Sequence, residues 1–500
     1  MREKIIFHID VNSAFLSWSA VKRLKEDPDC VDLRTIPAVV GGDPSTRHGI
    51  VTAKSVPAKR YGIHTADTIA SAMRRCPGLV VIPSDFQTYR EYSHRFMDIL
   101  KEYTREVEQA SIDEAYMDAT EICRRVLEKG DSSMQNRTIY EDGQSPESRI
   151  LSRPHLHDTR PVPEAKTLRD AAMILAERIR RDVREQLGFT VNVGISSNRL
   201  LAKMASDFQK PDKTHTLFPE EVAGKMWPLP IGDLYGCGRR TAERLRTLGI
   251  TTIGDAAAAP LEVLEDHLGE KAGRYIHNAA CGIGRAAVYP VREDAKSYSN
   301  EFTTSSDITA DTYEAEFLPL LHHLCDKVAG RLQRDGVYGR TVVLSVKTDD
   351  FRRRSARRRL TDAANDAETI YRMALSLSDR LLLGEKGLFS EGAGVRLVGA
   401  GVTDLEDGSF RQVSLFDWMG DDAAGKKSGS DEKSPESAAG SADSEKQKKE
   451  AGRRAERAAR LREMEAAIRR RYGKDALQKG THSQPANGDD RTDGNEQPDQ

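Results

Sequence analysis

Two adjacent acidic residues, Asp113 and Glu114, interrupt an apolar alternation that runs from Val107 to Ala119. The alternation is typical of two antiparallel strands that meet near a tight turn. Adjacent carboxylates repel each other, and a partly buried site that holds both of them ionised needs a compensating charge, commonly a divalent metal. The dipeptide by itself favours an exposed acidic turn, because Asp and Glu mostly occupy solvated loops. The rest of the sequence has to decide between the two interpretations.

A third carboxylate stands near the N-terminus, at the end of the segment "KIIFHID". The segment predicts a buried strand with Ile5, Phe7 and Ile9 on one face, which delivers Asp10 to its carboxyl end. Further along the chain, the helical pattern "TLRDAAMILAERIRRDVREQLG" is followed by the short strand pattern "FTVNVGIS" and by a second helical pattern, "NRLLAKMASDF". This mixture of strands and amphipathic helices predicts an α+β fold.

Composition limits the protein class and the compartment. A chain of 500 residues predicts several domains, and a net charge of -2 gives no global signal for nucleic acid or membrane. The six cysteines form no Cys-x-x-Cys pair, which argues against a disulfide framework and a structural zinc site. The first ten residues turn polar too soon for a signal peptide, and no apolar run reaches the roughly 18 residues of a membrane span. We therefore expect a cytoplasmic protein without a membrane partner.

Glycine turns mark a candidate nucleic-acid contact in the segment "PLPIGDLYGCGRRTAERLRTLGITTIGD". Gly236 and Gly238 lie between a short apolar segment and a helical pattern, and a second glycine turn follows about ten residues later. This is the pattern of a helix-hairpin-helix, whose loop directs backbone N–H groups at a phosphate without reading base sequence. The alternative is an ordinary turn between packed helices.

Positive charge is concentrated in residues 331–360, where ten Lys or Arg residues face three Asp, a net charge of +7. The preceding pattern "RTVVLSVKTDD" is strand-like, so part of this charge should lie along a sheet face. A solvated basic face is the alternative. The glycine hairpin upstream favours a surface for the phosphate backbone.

The C-terminal part of the chain loses its apolar pattern after about Thr403. Residues 420–450 are almost entirely Gly, Ser, Ala and charged residues, a composition typical of a disordered linker. Just before them, Leu415, Phe416 and Trp418 are large apolar residues at a domain edge, which suggests docking into a partner's groove. Residues 129–165 are likewise polar and Pro-rich, and we interpret them as a surface insertion.

These segments together resemble the Y-family of DNA polymerases, the lesion-bypass group, over roughly residues 4–418. The resemblance rests on five motifs in family order: "FHIDVNSAFLSW", "SIDEAYMD", "VGISSNRLLAKMASDFQKPD", "LPIGDLYGCGRRTAERLRTLGITTIGD" and "QVSLF". It implies an α+β multidomain right-hand polymerase with palm, small fingers, a helical thumb that contains the helix-hairpin-helix, and an α/β little finger, followed by a disordered tail.

The implied domain bounds follow the motifs. The palm would span 1–217, with fingers inserted at about 12–77 and the surface insertion at 129–165. The thumb would span 218–288, the little finger 289–405 and a motif for binding the sliding clamp 406–419. A mostly disordered tail with a helix at 451–472 would fill 420–500.

The resemblance also implies a low-fidelity, template-directed polymerase for translesion synthesis. Asp10, Asp113 and Glu114 would converge on two Mg²⁺ ions, and the backbone carbonyl of Val11 resembles an additional metal ligand. The primer 3′-hydroxyl would attack the α-phosphate of a deoxynucleoside triphosphate and release pyrophosphate, with the ions stabilising the phosphoryl charge.

Three residues resemble nucleotide contacts. Phe15 matches a steric gate against the ribonucleotide 2′-hydroxyl, with a core aromatic as the alternative, and Lys210 matches a triphosphate-binding lysine. Lys59 replaces a family arginine and keeps the charge without the bidentate fork. Val56 stands where many members have Tyr, and Asn12 where many have Asp.

The implied partners are primer–template DNA, deoxynucleoside triphosphates and the replication sliding clamp. Gly236, Gly238 and the arginines Arg352, Arg353 and Arg354 would contact DNA. In the clamp motif, Gln412 would fill a polar subpocket, and Leu415 and Phe416 an apolar one. We expect a monomer in the bacterial cytoplasm, associated with the nucleoid when it is on DNA.

Two other functions stay open at this point. A noncatalytic or weakly active clamp- and DNA-binding accessory factor of the same fold is motivated by Val56 and Lys59. A metal-dependent nuclease is weaker, because the residues that match a steric gate and a triphosphate site would then have no purpose.

Overall fold

The computed structural model describes residues 3–43, 49–129, 165–291 and 294–407. The elements of its first part, in chain order, are β1 (Ile6–Val11), α1 (Ala14–Glu26), β2 (Ala38–Gly41), β3 (Val51–Lys54), α2 (Val56–Lys59), α3 (Ile69–Arg75), β4 (Val80–Ile82), α4 (Phe86–Tyr103), β5 (Val107–Gln109), β6 (Glu114–Asp118), α5 (Thr120–Lys129), α6 (Leu168–Leu187), β7 (Val191–Ser196), α7 (Arg199–Asp207) and β8 (Thr214–Thr216).

The second part contains α8 (Arg239–Thr247), α9 (Ile253–Ala258), α10 (Leu261–Leu268), α11 (Glu270–Ala280), β9 (Ser297–Ile308), α12 (Leu318–Arg334), β10 (Val337–Thr348), β11 (Arg353–Ala364), α13 (Ala367–Ser378) and β12 (Val395–Asp407). Within the described ranges, no helix has the length and apolar character that a membrane crossing requires.

The palm is built on a five-stranded sheet with the order β5-β6-β1-β7-β8. Strand β1 is central, and all six of its residues are buried, not only the predicted face with Phe7 and Ile9. The reason is that helix α7 covers the opposite face, where Ile6 packs against Ala202. This packing depends on Gly194 in β7, because a Cβ there would collide with the backbone of Ala202. The predicted antiparallel strands around the acidic pair are confirmed as β5 and β6.

A small three-stranded sheet, with the order β3-β2-β4, forms the fingers between α1 and α4. Strands β2 and β4 pair in parallel, so this sheet includes residues up to Ile82. Its separate apolar core includes Val39, Val51 and Ile69. Helix α1, in contrast, packs in the palm core through Leu16 and Trp18.

The thumb is helical, and its core joins α8 to α11 with apolar residues of α7 such as Leu201 and Met204. The little finger follows as a four-stranded sheet with the order β11-β10-β12-β9, packed against α12 and α13. The strand predicted over "RTVVLSVKTDD" is confirmed as β10. Strand β12 continues to Asp407, because Leu405 pairs with Gly339 of β10 and packs against the little-finger core.

Several predicted segments lie outside the described residues. They are the surface insertion except for its first and last residues, the clamp motif beyond Asp407, and the tail with its predicted helix.

Candidate active site

Strand register brings two of the three predicted carboxylates together. Asp10 of β1 stands directly opposite Glu114 of β6 in the antiparallel ladder, so both side chains leave the same end of the sheet. The turn before β6 also lies against β1, since the Val11 amide donates a 3.0 Å hydrogen bond to the carbonyl oxygen of Asp113. Asp10 is buried and Glu114 is partly exposed. The end of β1 therefore brings Asp10 and Glu114 together, with the backbone of Asp113 beside them.

Two lysines neutralise this carboxylate pair. Lys203 of α7 places its Nζ 2.7 Å from Glu114 Oε1 and 3.4 Å from Asp10 Oδ2. Lys210 follows α7 and places its Nζ 2.9 Å from Asp10 Oδ1 and 2.8 Å from Asp207 Oδ1. Lys210 was identified in the sequence, whereas Lys203 was missed. The sequence does contain a sign of its role, because Lys203 lies within the largely apolar helical pattern "NRLLAKMASDF". A lysine that is buried in such a helix needs an acidic partner.

The pKa values of these groups follow from burial and from the neighbouring charges. Burial raises the pKa of Asp10 to about 6, although Lys210 and Lys203 act in the opposite direction. The pKa of Glu114 is shifted in the opposite direction. His8 and Lys203 lower it, and this carboxyl is less buried than that of Asp10. Burial tends to lower the pKa of Lys203, but the carboxylates of Asp10 and Glu114 outweigh it and raise that pKa.

The carboxylate of Asp113 has a different environment. It accepts a 2.6 Å hydrogen bond from the Ser111 hydroxyl and is only half-buried. Among the described residues, no group of three His, Cys, Asp or Glu side chains is arranged to hold a metal ion. In the structure, Lys203 and Lys210 contact the oxygens of Asp10 and Glu114.

A buried histidine lies behind the pair. His8 of β1 has no exposed surface, and its Nδ1 is 2.9 Å from the Ser206 hydroxyl. Its Nε2 has no hydrogen-bond partner and lies 3.7 Å from Glu114 Oε2. Burial lowers the pKa of His8 below its usual value. This orphaned nitrogen faces the carboxylate site, and His8 was not predicted from the sequence as a site residue.

The donor set fits Mg²⁺. Carboxylate and carbonyl oxygens are the hard ligands that this ion prefers. Asp10 and Glu114 supply such oxygens side by side, and the backbone of Val11 and Asp113 adjoins them. The ammonium groups of Lys203 and Lys210 compensate the negative charge of these carboxylates. Divalent ions would compensate the same charge.

The candidate nucleotide residues lie on the elements next to β1. Phe15 is half-buried in α1, and its ring stacks on Tyr89 at a centroid distance of 4.7 Å. Lys59 is exposed at the end of α2, the helix that Ser55 caps. Val56 is 41% exposed, so this position next to Lys59 presents an apolar side chain to solvent.

The predicted DNA-contacting residues are exposed on the thumb and little finger. Gly236 has a φ of +87°, a conformation that favours glycine, and Gly238 caps the N-terminus of α8. A Cβ at Gly236 would collide with the ring of Tyr275, whereas one at Gly238 would meet open space. The three candidate arginines are exposed at or just before the start of β11, an edge strand: Arg352, Arg353 and Arg354.

Comparison with known proteins gives the same assignment along most of the chain. Residues 9–207 match the model of the impB/mucB/samB family, and residues 295–415 match the C-terminal domain of that family. Residues 232–284 match the thumb domain of DNA polymerase iota. The match to the thumb model confirms the helix-hairpin-helix prediction.

Relatives and a solved structure extend the match. A DNA polymerase IV from Clostridium acetobutylicum is 38% identical over 417 residues, which cover 83% of this chain and 90% of the relative. DNA polymerase IV 1 of Bacillus subtilis is 33% identical and is covered to 87% of its length. The solved structure of a Y-family DNA polymerase chimera has the same fold, with a TM-score of 0.62 and 21% sequence identity. The match covers 81% of this chain and 99% of the chimera. The chain belongs to the Y-family of DNA polymerases and is a DNA polymerase related to DNA polymerase IV.

Proposed function

We propose that this translesion polymerase adds deoxynucleotides to a primer 3′ end by a two-metal mechanism centred on Asp10, Asp113 and Glu114. The observation that carries the proposal is the register pair of Asp10 and Glu114 at the end of β1, neutralised by two lysines. Buried carboxylates are held ionised only beside positive charge. A site of this kind suits a reaction in which charged phosphates and metal ions meet.

In this proposal the three carboxylates and the Val11 carbonyl hold two Mg²⁺ ions. When bound, the ions supply positive charge that lowers the barrier to phosphoryl transfer. The protein's own residues hold and orient the reactants. Lys203 keeps Asp10 and Glu114 together, and Lys210, which lies beside Asp10, turns toward the triphosphate of the incoming nucleotide.

Phe15 is proposed to exclude ribonucleotides. Its ring is fixed by the stack on Tyr89, and a fixed ring rejects a 2′-hydroxyl more effectively than a mobile one. Lys59 is proposed to give the triphosphate a single charge contact. An exposed lysine without a bidentate fork should bind it more loosely than arginine.

The DNA duplex is proposed to lie against the thumb and the little finger. The N-terminus of α8, capped by Gly238, offers backbone N–H groups to a phosphate. Arg352, Arg353 and Arg354 would contact other phosphates, which fixes the position of the duplex without reading its sequence. Contacts to phosphates suit an enzyme that accepts many templates, including damaged ones. We propose that it acts in the bacterial cytoplasm.

Recruitment is proposed to depend on residues 412–416, "QVSLF". Gln412 would enter a polar subpocket of the sliding clamp, and Leu415 and Phe416 an apolar one. The support is the sequence motif alone, placed after the last strand of the little finger and before the charged tail.

The proposed function can be tested by primer extension with purified protein, Mg²⁺ and each deoxynucleotide singly. One template would be undamaged, and the other would carry a minor-groove guanine adduct. We expect insertion of the nucleotide complementary to each undamaged template base, and extension past the adduct. Tight primer–template binding without extension would favour the accessory-factor alternative and direct attention to Val56 and Lys59.

A further inference from the structure

Two buried asparagines lie next to the carboxylate site, and one of them, Asn192, stands opposite Asp10 in the β1–β7 ladder. Asn12 follows β1 and is 7% exposed, and Asn192 lies within β7 and is fully buried. The Nδ2 of Asn12 donates a 3.1 Å hydrogen bond to Oδ1 of Asn192, although the residues are 180 positions apart in the chain. Buried amides need partners for all of their polar atoms, so their remaining contacts show what the pair holds.

The pair binds the backbone on both sides of Lys210. Asn192 Nδ2 donates to the carbonyl oxygens of Ser206 at 3.0 Å and Gln209 at 2.7 Å, and its Oδ1 accepts from the Lys213 amide at 3.2 Å. Asn12 Oδ1 accepts from the Asp212 amide at 2.9 Å. The Thr190 hydroxyl donates to the same oxygen at 2.9 Å. Four backbone groups of the 206–213 segment are thus tied to two side chains.

The chemistry of these contacts permits only one orientation of each amide. Backbone N–H groups only donate and backbone carbonyl oxygens only accept, so neither amide can be inverted without losing its bonds. Asn192 uses two donor and two acceptor positions. A carboxylate in its place would face two carbonyl oxygens with no proton to offer. Asp at position 12 would similarly face Asn192 Oδ1 with a second acceptor.

We infer that the Asn12–Asn192 amide pair is a positioning device that fixes the 206–213 segment, so that the Lys210 ammonium is held at Asp10 and ready for the nucleotide triphosphate. Lys210 reaches Asp10 at 2.9 Å from a loop whose backbone the pair holds at Gln209 and Asp212. The pair therefore acts through Lys210, whose loop it holds, and is a positioning element of the site. This inference rests on the proposed triphosphate role of Lys210.

A double-mutant cycle tests the inference. Asn192→Asp, Lys210→Ala and the double variant would be compared by single-nucleotide incorporation at saturating primer–template, with KM for the deoxynucleotide and kcat measured separately. Loss of buried hydrogen bonds should raise KM about tenfold in Asn192→Asp. In the Lys210→Ala background the same substitution should change KM by less than about twofold, because the residue that the pair positions is already absent.

Asn198→Asp is the matched control. Asn198 is also a buried asparagine, but it caps α7 and donates to the Gly282 carbonyl oxygen, away from the Lys210 loop. Its variant should keep the wild-type KM. Asn12→Asp is the second test variant and should raise KM as Asn192→Asp does, which covers the case in which Asn192→Asp fails to fold.

Hydrogen exchange of a peptide spanning residues 208–216 gives a readout without activity. Asn192→Asp loses the two bonds that Nδ2 donates to the carbonyl oxygens of Ser206 and Gln209, so the loop should open more often. Exchange of the Asp212 and Lys213 amides, which donate to the pair, should therefore accelerate in the nucleotide-free protein, while Asn198→Asp should leave it unchanged. Unchanged hydrogen exchange in Asn192→Asp would overturn the inference. So would an increase in KM on Asn192→Asp that is equally large with Lys210 present and in the Lys210→Ala background. An unchanged KM in Lys210→Ala would instead contradict the triphosphate role, and the exchange result would still decide whether the pair fixes the loop.

Discussion

Removing the charge of Lys203 tests whether this buried lysine is the fixed counter-ion of the carboxylate site. Lys203 is only 7% exposed, and its Nζ lies within 3.4 Å of Asp10, Glu114 and Asp207. Lys203→Met keeps the apolar stem and removes the ammonium. Asp10 and Glu114 then lose their common partner, although Lys210 still contacts Asp10.

The expected magnitude follows from the burial of the pair. Breaking a buried ion pair by removing one partner costs about 3–5 kcal/mol, because it leaves an uncompensated charge. Lys210 remains, and the side chain of Glu114 is 28% exposed, so we expect the lower end, about 3 kcal/mol. For a domain of palm size, each kcal/mol corresponds to about 2–4 °C, which predicts a melting temperature lower by about 6–12 °C.

The assay is thermal unfolding with and without Mg²⁺. If the carboxylates bind the ion, Mg²⁺ should raise the melting temperature of Lys203→Met more than that of the wild type, since it replaces the missing charge. Lys22→Met is the control, because its ion pair with Asp85 is at the surface and should contribute little. Equal melting temperatures for Lys203→Met and the wild type, or equal shifts with Mg²⁺, would refute the counter-ion assignment.

Three further predictions concern the sugar gate, the thumb and the tail. Phe15→Ala should increase ribonucleotide incorporation at least tenfold relative to deoxynucleotide incorporation, as measured by single-nucleotide kinetics. A tenfold change corresponds to the loss of a steric contact worth about 1.4 kcal/mol. An unchanged sugar preference would remove the gate role of Phe15. Gly236→Ala forces a collision with Tyr275 and should weaken primer–template binding in a titration, whereas Gly238→Ala should leave the thumb folded; equal melting and binding of the two variants would contradict the turn assignment. Deletion of residues 412–416 should abolish clamp-stimulated synthesis and leave basal synthesis unchanged, and full stimulation of the deletion variant would count against the docking motif.

Local pattern was sufficient to predict the strands that carry the carboxylates. The alternation around Asp113 and Glu114 and the apolar run before Asp10 define β6 and β1, and strand pairing then places the acidic residues together. The same local signal predicted the glycine turn before α8 and the strand β10.

Contacts between distant segments could not be predicted in this way. Whether Lys203 faces solvent or the carboxylates depends on how α7 packs across the sheet, and that packing depends on the missing Cβ of Gly194. The burial of both faces of β1 has the same origin. The Asn12–Asn192 contact joins residues 180 positions apart, and no periodicity in either segment points to it.

The proposed catalytic role of Asp10, Asp113 and Glu114 is tested most directly by single-turnover primer extension with Asp113→Ala beside the wild type, with primer–template affinity measured on the same samples. Asp113 is half-buried, and its carboxylate accepts a hydrogen bond from the hydroxyl of the neighbouring Ser111, so its removal should leave the fold and DNA binding intact. We expect templated, Mg²⁺-dependent extension by the wild type and none by the variant at equal DNA affinity. Extension by Asp113→Ala at the wild-type rate would contradict the assignment of these carboxylates as the catalytic site.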